Sequence, residues 1–180
     1  MKKFDIAILG GGILGTTISY WISNLHDSSV CVIEKESTVA KHTSGRNTGV
    51  VHTPFYLNPE TKKFFAKSAH ISHELWKTLA KNTMSPWNEV GTIEVALDEV
   101  QHQTLEKYQK WGIQNGVSED NLSLLDSNEL KEKEKNIECY SGLLCKSDVS
   151  TDYSKLTQEI QKISSQNSTE FLFQKKVKSF

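Results

Sequence analysis

Phe4-Asp5-Ile6-Ala7-Ile8-Leu9 runs straight into Gly10-Gly11-Gly12-Ile13-Leu14-Gly15, and a helical stretch to His26 then leads to Val30-Cys31-Val32-Ile33-Glu34. The glycines at 10, 12 and 15 fit G-x-G-x-x-G, set between a strand-like and a helix-like segment. That context, with a second strand and an acid at its end, favours a dinucleotide site over an incidental glycine turn. Gly10 permits the tight turn out of the strand, Gly12 lets backbone approach a pyrophosphate, and Gly15 lets helix and strand pack closely. The free N–H groups of Ile13 and Leu14 then open a helix whose positive dipole end faces that pyrophosphate. Glu34 stands 19 residues after Gly15, where an acid accepts hydrogen bonds from ribose hydroxyls. No arginine stands beside it, which argues against a 2′-phosphate and so against NADP.

Working outward, Phe4–Leu9 is nearly continuous in apolar character, as expected of a strand covered on both faces. A helix over Ile13–Asn24 and a strand over Val30–Glu34 complete a β-α-β unit, which requires a parallel sheet and a right-handed crossover. The remainder of the chain has to be compatible with that start. It has 180 residues, 37% apolar and 24% charged, enough for one ordinary domain or parts of two. The formal net charge of −1 supplies no global field for nucleic acid or an acidic membrane. No apolar run approaches the roughly 18 residues of a membrane span, and the short apolar stretch at the N-terminus reads as a strand rather than a signal peptide. Cys31, Cys139 and Cys145 form no C-x-x-C and read as free thiols in a reducing, cytoplasmic setting.

After Glu34 comes Lys35, then a polar loop, Ser37 to Gly49, dense in hydroxyls and amides: His42-Thr43-Ser44-Gly45-Arg46-Asn47-Thr48-Gly49, followed by a brief buried strand at Val50-Val51-His52. With the glycine turn and Glu34-Lys35-Glu36, this run resembles FAD-dependent oxidoreductases of the D-amino-acid oxidase superfamily. Within it the run is most similar to the L-2-hydroxyglutarate dehydrogenases/oxidases and the related glycerol-3-phosphate dehydrogenases. The Ser-Gly-Arg-Asn-Thr-Gly-Val-Val-His run is the specific part. The resemblance continues weakly through Gly91-Thr92-Ile93-Glu94-Val95-Ala96 and Asp152-Tyr153, so it spans the chain with strong motifs only in residues 1–52.

The resemblance implies an α/β fold: a Rossmann-like, glutathione-reductase-type FAD-binding domain with an inserted, incomplete antiparallel α+β substrate domain. The expected FAD domain is 1–84 with 149–180, and the expected substrate domain is 85–148. FAD presents a pyrophosphate and a polar ribityl chain, which Thr43, Ser44, Asn47 and Thr48 can serve, with Lys35 and Gly49 at the ends of the segment. Arg46, the only arginine in the chain, suits a phosphate or a substrate carboxylate in bidentate geometry; the alternative is a solvated arginine. His52 is the candidate catalytic group, a neutral imidazole that accepts the substrate hydroxyl proton while hydride leaves for the flavin; the alternative is a core histidine satisfied by backbone. Where family members read His-Ala-Gly, this chain has His52-Thr53-Pro54, and proline removes a donor and fixes φ. Tyr56 still matches an aromatic of the family pattern.

Further on, Thr61–Lys81 carries Phe64, Phe65, Leu75, Trp76 and Leu79 at helical spacing, with His70 and His73 expected on its solvated face. Ser85-Pro86 marks a break. A strand over Gly91–Leu97, a helix over Asp98–Asn115 ended by Gly116, a strand at Leu122–Leu125, a helix opened by Asp126 and a strand at Tyr140–Cys145 follow. Thr151 or Asp152 caps a helix bearing Leu156, Ile160 and Ile163. Strands are expected at Phe171–Phe173 and Val177–Phe180, and in the family the valine matched by Val177 meets the adenine.

These features predict an enzyme moving hydride from a small 2-hydroxy acid or polyol phosphate to FAD, with a small-molecule substrate and an unidentified electron acceptor. Because family members extend beyond a strand like the last one, the chain reads as an N-terminal part that is inactive alone. Two rivals remain: an NAD-dependent dehydrogenase, which leaves the Thr43–Gly49 loop unexplained, and a non-catalytic nucleotide-binding subunit.

Overall fold

The computed structural model describes residues 2–179. In chain order the elements are β1 (Ile6–Leu9), α1 (Ile13–Leu25), β2 (Val30–Ile33), a 3₁₀ turn (Thr43–Gly45), β3 (Val50–Val51), α2 (Lys63–Thr83), β4 (Trp87–Asn88), β5 (Thr92–Ala96) and α3 (Glu99–Gln114). A second 3₁₀ turn (Glu119–Asn121), β6 (Leu122–Asp126), α4 (Ser127–Lys133), β7 (Ser141–Cys145), β8 (Val149–Thr151), α5 (Tyr153–Gln166) and β9 (Thr169–Leu172) complete it. The chain divides into two units: one holds everything before residue 50, residues 82–85 and everything from residue 152, and the other holds 50–81 and 86–151.

In the first unit β1, β2 and β9 form a parallel sheet in that order, with Ile6 opposite Val30 and Val30 opposite Thr169. Helices α1 and α5 pack against each other. Three of their buried hydroxyls are satisfied within their own turns: Ser19 donates to Thr16 O at 2.8 Å, Thr157 to Tyr153 O at 2.6 Å and Ser164 to Ile160 O at 2.8 Å, whereas the buried Thr16 hydroxyl has no partner among the described residues. Such back-bonding removes the cost of burying hydroxyls. Asp152 caps α5 by accepting from Lys155 N. Only β2 is covered on both faces. β1 alternates, with Ala7 and Leu9 exposed, because it lies at the end of the three-strand order and nothing in the described residues covers that side. The strand expected at Val177–Phe180 does not form over 177–179, and Phe180 lies outside the described residues.

The second unit contains two antiparallel sheets, β3-β8-β4 and β5-β7-β6. Pairing of Val50 with Ser150 and of Val51 with Val149 joins residues 50–81 to this unit. Phe55, Ala96, Leu105, Val117, Leu122, Leu143 and Cys145 form its core, beneath α3. Asp98 caps α3 through Gln101 N, and Asp126 with Glu129 forms a full capping box on α4, so both helix starts follow directly from local sequence. His70 and His73 are not on a solvated face. Their Nε2 atoms lie 2.7 Å from Asn115 O and 3.2 Å from Ser147 O, and the His73 ring meets Trp87 edge-on.

Candidate functional site

The glycine turn is built by close approach. Gly10 adopts φ +100° and donates to Ile33 O at 2.9 Å, turning the chain out of β1. A Cβ on Gly15 would stand 2.0 Å from Gly10 O, so only glycine lets α1 start this close to the strand. The polar loop folds back onto this turn: Ala40 N donates to Gly11 O at 2.9 Å, and Ser44 Oγ lies 3.0 Å from where a Gly12 Cβ would be. Ser44 Oγ also accepts from Ile13 N at 2.9 Å.

That last bond changes the expected arrangement. The Ile13 N–H is not free; Gly12, at the N-cap, has no side chain to serve it, and Ser44 reaches across the chain to do so. Its own hydroxyl proton remains available, and the Leu14 N–H belongs to the first turn, where no intrahelical carbonyl serves it. Glu34, buried, also has structural duties: Oε2 accepts from Gly11 N at 2.6 Å and Oε1 from Glu36 N at 2.9 Å. Each carboxylate oxygen keeps acceptor capacity beyond these single bonds.

Asn47 braces the loop, donating to Thr43 O and Ser44 O and accepting from Gly49 N at 2.8 Å. Thr43, Arg46 and Thr48 are exposed. Lys35 is exposed and 3.8 Å from Glu36 Oε1, a carboxylate held below its ordinary range chiefly by the 2.8 Å hydrogen bond to His42. Gln174 N and Lys175 N donate to Glu36 O and Glu34 O, carrying the chain toward half-buried Val177 alongside the end of β2. A tight turn without side chains, a helix start, a hydroxyl donor and an acid therefore share one mouth. This donor and acceptor set suits the diphosphate and ribose of a dinucleotide.

The second unit holds the other constellation. His52 Nδ1 lies 2.7 Å from Asp148 Oδ2, and Asp148 is fully buried while the His52 side chain is 41% exposed. Asp148 Oδ1 accepts from Thr53 N at 2.7 Å and from Thr53 Oγ1 at 2.8 Å, and Oδ2 accepts from Thr92 Oγ1 at 2.8 Å. The Cys145 thiol lies 3.4 Å from Oδ1. Burial pushes the Asp148 carboxyl up, but the hydrogen bonds from His52, Thr53 and Thr92 outweigh it and hold it below the ordinary value. The same bond raises the His52 imidazole, against burial, which lowers it. Burial raises the Cys145 thiol, so it stays protonated near neutrality. Tyr56 stands edge-on to the His52 ring at 5.9 Å, and Asn115 pins the loop by donating to Pro54 O and Leu57 O.

Sequence reading missed Asp148, which lies in a Lys146-Ser147-Asp148 turn that looks like polar surface. The available signal was weak: Asp148 directly precedes buried Val149 at the start of β8, whereas Lys146 in the same turn is exposed.

Comparison with known proteins gives the context of both constellations. A family model described as FAD dependent oxidoreductase matches residues 5–180. The chain is 31% identical over 146 residues to the glycerol 3-phosphate oxidase of Mycoplasma pneumoniae, covering 79% of this chain and 37% of that protein. It is 31% identical over 166 residues to the mitochondrial L-2-hydroxyglutarate dehydrogenase of Bos taurus, covering 88% and 35%. Among solved structures, dithionite-reduced L-alpha-glycerophosphate oxidase from Mycoplasma pneumoniae with FAD bound superposes with a TM-score of 0.84 at 26% identity, over 97% of this chain and 45% of that one. The chain thus spans less than half the length of each of these proteins.

Proposed function

We infer that this chain, which belongs to the FAD dependent oxidoreductase family, forms the FAD-holding part of an enzyme that takes hydride from a carbon bearing a hydroxyl group. The observation that carries this reading is the bond from Ile13 N to Ser44 Oγ, which ties the hydroxyl-rich loop to the mouth of the glycine turn. An NAD-type unit has no use for such a loop. Bound FAD supplies the hydride acceptor. The chain's own part is to hold and orient it: Gly10, Gly12 and Gly15 keep the turn open, Leu14 N–H and the Ser44 hydroxyl face the diphosphate, and Glu34 takes ribose hydroxyls with its remaining acceptor capacity. Thr43, Asn47, Thr48 and Gly49 line the polar chain of the cofactor, Ile13 and Lys35 frame it, and Val177 covers the adenine.

In this reading the FAD domain, 1–84 with 149–180, takes in the first unit except Ser85, and the substrate domain, 85–148, otherwise falls within the second. The substrate is a small 2-hydroxy acid or a polyol phosphate, in keeping with the names of the two relatives. Arg46 would serve a phosphate of the cofactor, and His52 Nε2 would accept the proton of the substrate hydroxyl. The three free thiols support a cytoplasmic setting. The test is spectroscopic. The purified chain titrated with FAD should quench flavin fluorescence at micromolar concentration and should leave NADH fluorescence unchanged. Bleaching of the flavin by glycerol 3-phosphate or L-2-hydroxyglutarate under anaerobic conditions is expected only when the chain is joined to the further length its relatives have. NADH binding without FAD binding would overturn the assignment.

A further inference from the structure

We propose that Asp148 is a positioning residue for His52, fixing its ring as the tautomer with the proton on Nδ1 and Nε2 bare. The proposal rests on the reading of His52 as the proton acceptor and adds what prepares it for that role. The chemistry follows from the donor count. Asp148 Oδ1 and Oδ2 each receive two close donors, from Thr53 N, Thr53 Oγ1, Thr92 Oγ1 and His52 Nδ1. A carboxylate so surrounded is ionised and can only accept. The ring nitrogen 2.7 Å away must therefore be the one carrying hydrogen. In the neutral ring Nε2 is then an acceptor, the state a general base needs.

Burial gives this arrangement its cost. A fully buried carboxylate without a compensating charge is expensive, and the ion pair recorded for Asp148 among the described residues is the one with His52. The other titratable groups around the pair do not replace it. Glu94 acts on His52 with the same sign as Asp148, and Tyr56 and Cys145 are both held protonated by burial. The purely structural reading, in which Asp148 only staples Thr53 and Thr92, accounts for the threonines and leaves His52 Nδ1 unexplained. Thr53 contributes both its backbone N–H and its hydroxyl to the carboxylate.

The test uses the full chain with ¹⁵N-labelled histidine, since nitrogen NMR separates a protonated from a bare ring nitrogen. The expected result in the unmodified protein is a His52 signal with Nδ1 protonated and Nε2 bare above its titration. In Asp148→Asn the His52 titration should fall by about one pH unit, while Thr92→Val, which removes a neighbouring donor, should preserve the tautomer. A proton on Nε2 in the unmodified protein overturns the proposal even if Asp148→Asn fails to fold. An unchanged titration in folded Asp148→Asn overturns it as well. Neither measurement needs flavin or substrate. Full turnover in a His52→Asn enzyme would sink the base assignment while leaving the pairing intact.

Discussion

The glycine turn and the His52–Asp148 network pose the same physical problem, placing polar groups where water is scarce, and they solve it over very different distances along the chain. The turn draws on residues 10–49: Gly11, Ile13, Glu34, Ala40 and Ser44 meet within one crossover and the loop that follows. The network joins Thr53 to Asp148, 95 residues apart, and Thr92 to Asp148, 56 apart. A site assembled from one supersecondary unit announces itself in spacing. A site assembled by strands returning from far along the chain does not.

The sharpest way to break the first region is Gly15→Val. Its Cβ would stand 2.0 Å from the Gly10 carbonyl, backbone that cannot yield, so α1 must shift off β1. The expected loss is about 3 kcal/mol of stability together with all measurable FAD binding, read by chemical denaturation and flavin fluorescence. If Gly15→Val binds FAD normally, the close approach is not what holds the turn. Ser44→Ala is gentler. It uncaps Ile13 N and removes one hydroxyl from the mouth, so stability should fall by about 1 kcal/mol and FAD affinity about tenfold. An unchanged affinity would mean that the loop braces the turn without touching the ligand.

These contrasts also explain how much could be read in advance. The β-α-β unit, the Asp98 and Asp126 caps and the Gly116 stop depend on neighbours a few residues away, and all appear within a residue or two of where spacing put them. β1 was misjudged because apolar content cannot say whether a strand's second face is covered; Leu9 is 48% exposed. Helical spacing puts His73 on an open face because it marks a face without saying that Trp87 and Ser147 pack against it. The Ile13 amide looked free because a cap is usually sought at the residue before a helix, and here it comes from Ser44, 31 positions on. Asp148 was silent for the same reason, at three times the distance.

The smallest expected effect tests the second region by pH. Because the His52 pKa is raised on folding, its charged form stabilises the native state fully below the ordinary histidine value near 6.5, and that contribution drains away as pH rises through the raised value. The Asp148 pKa is lowered, so its contribution is present above the ordinary carboxylate value near 3.9 and is lost as pH falls through the lowered one. Both are charged in the window between, and there the pair attracts most. Urea unfolding of the protein and of His52→Gln should therefore differ most between about pH 4 and pH 6.5, with the gap narrowing above that range. The gap should stay under about 1 kcal/mol, because water screens a ring that is 41% exposed. A gap independent of pH from 4 to 8 would mean that the imidazole binds Asp148 only as a neutral donor, leaving the network as structural as the Ser44 cap and removing its electrostatic part.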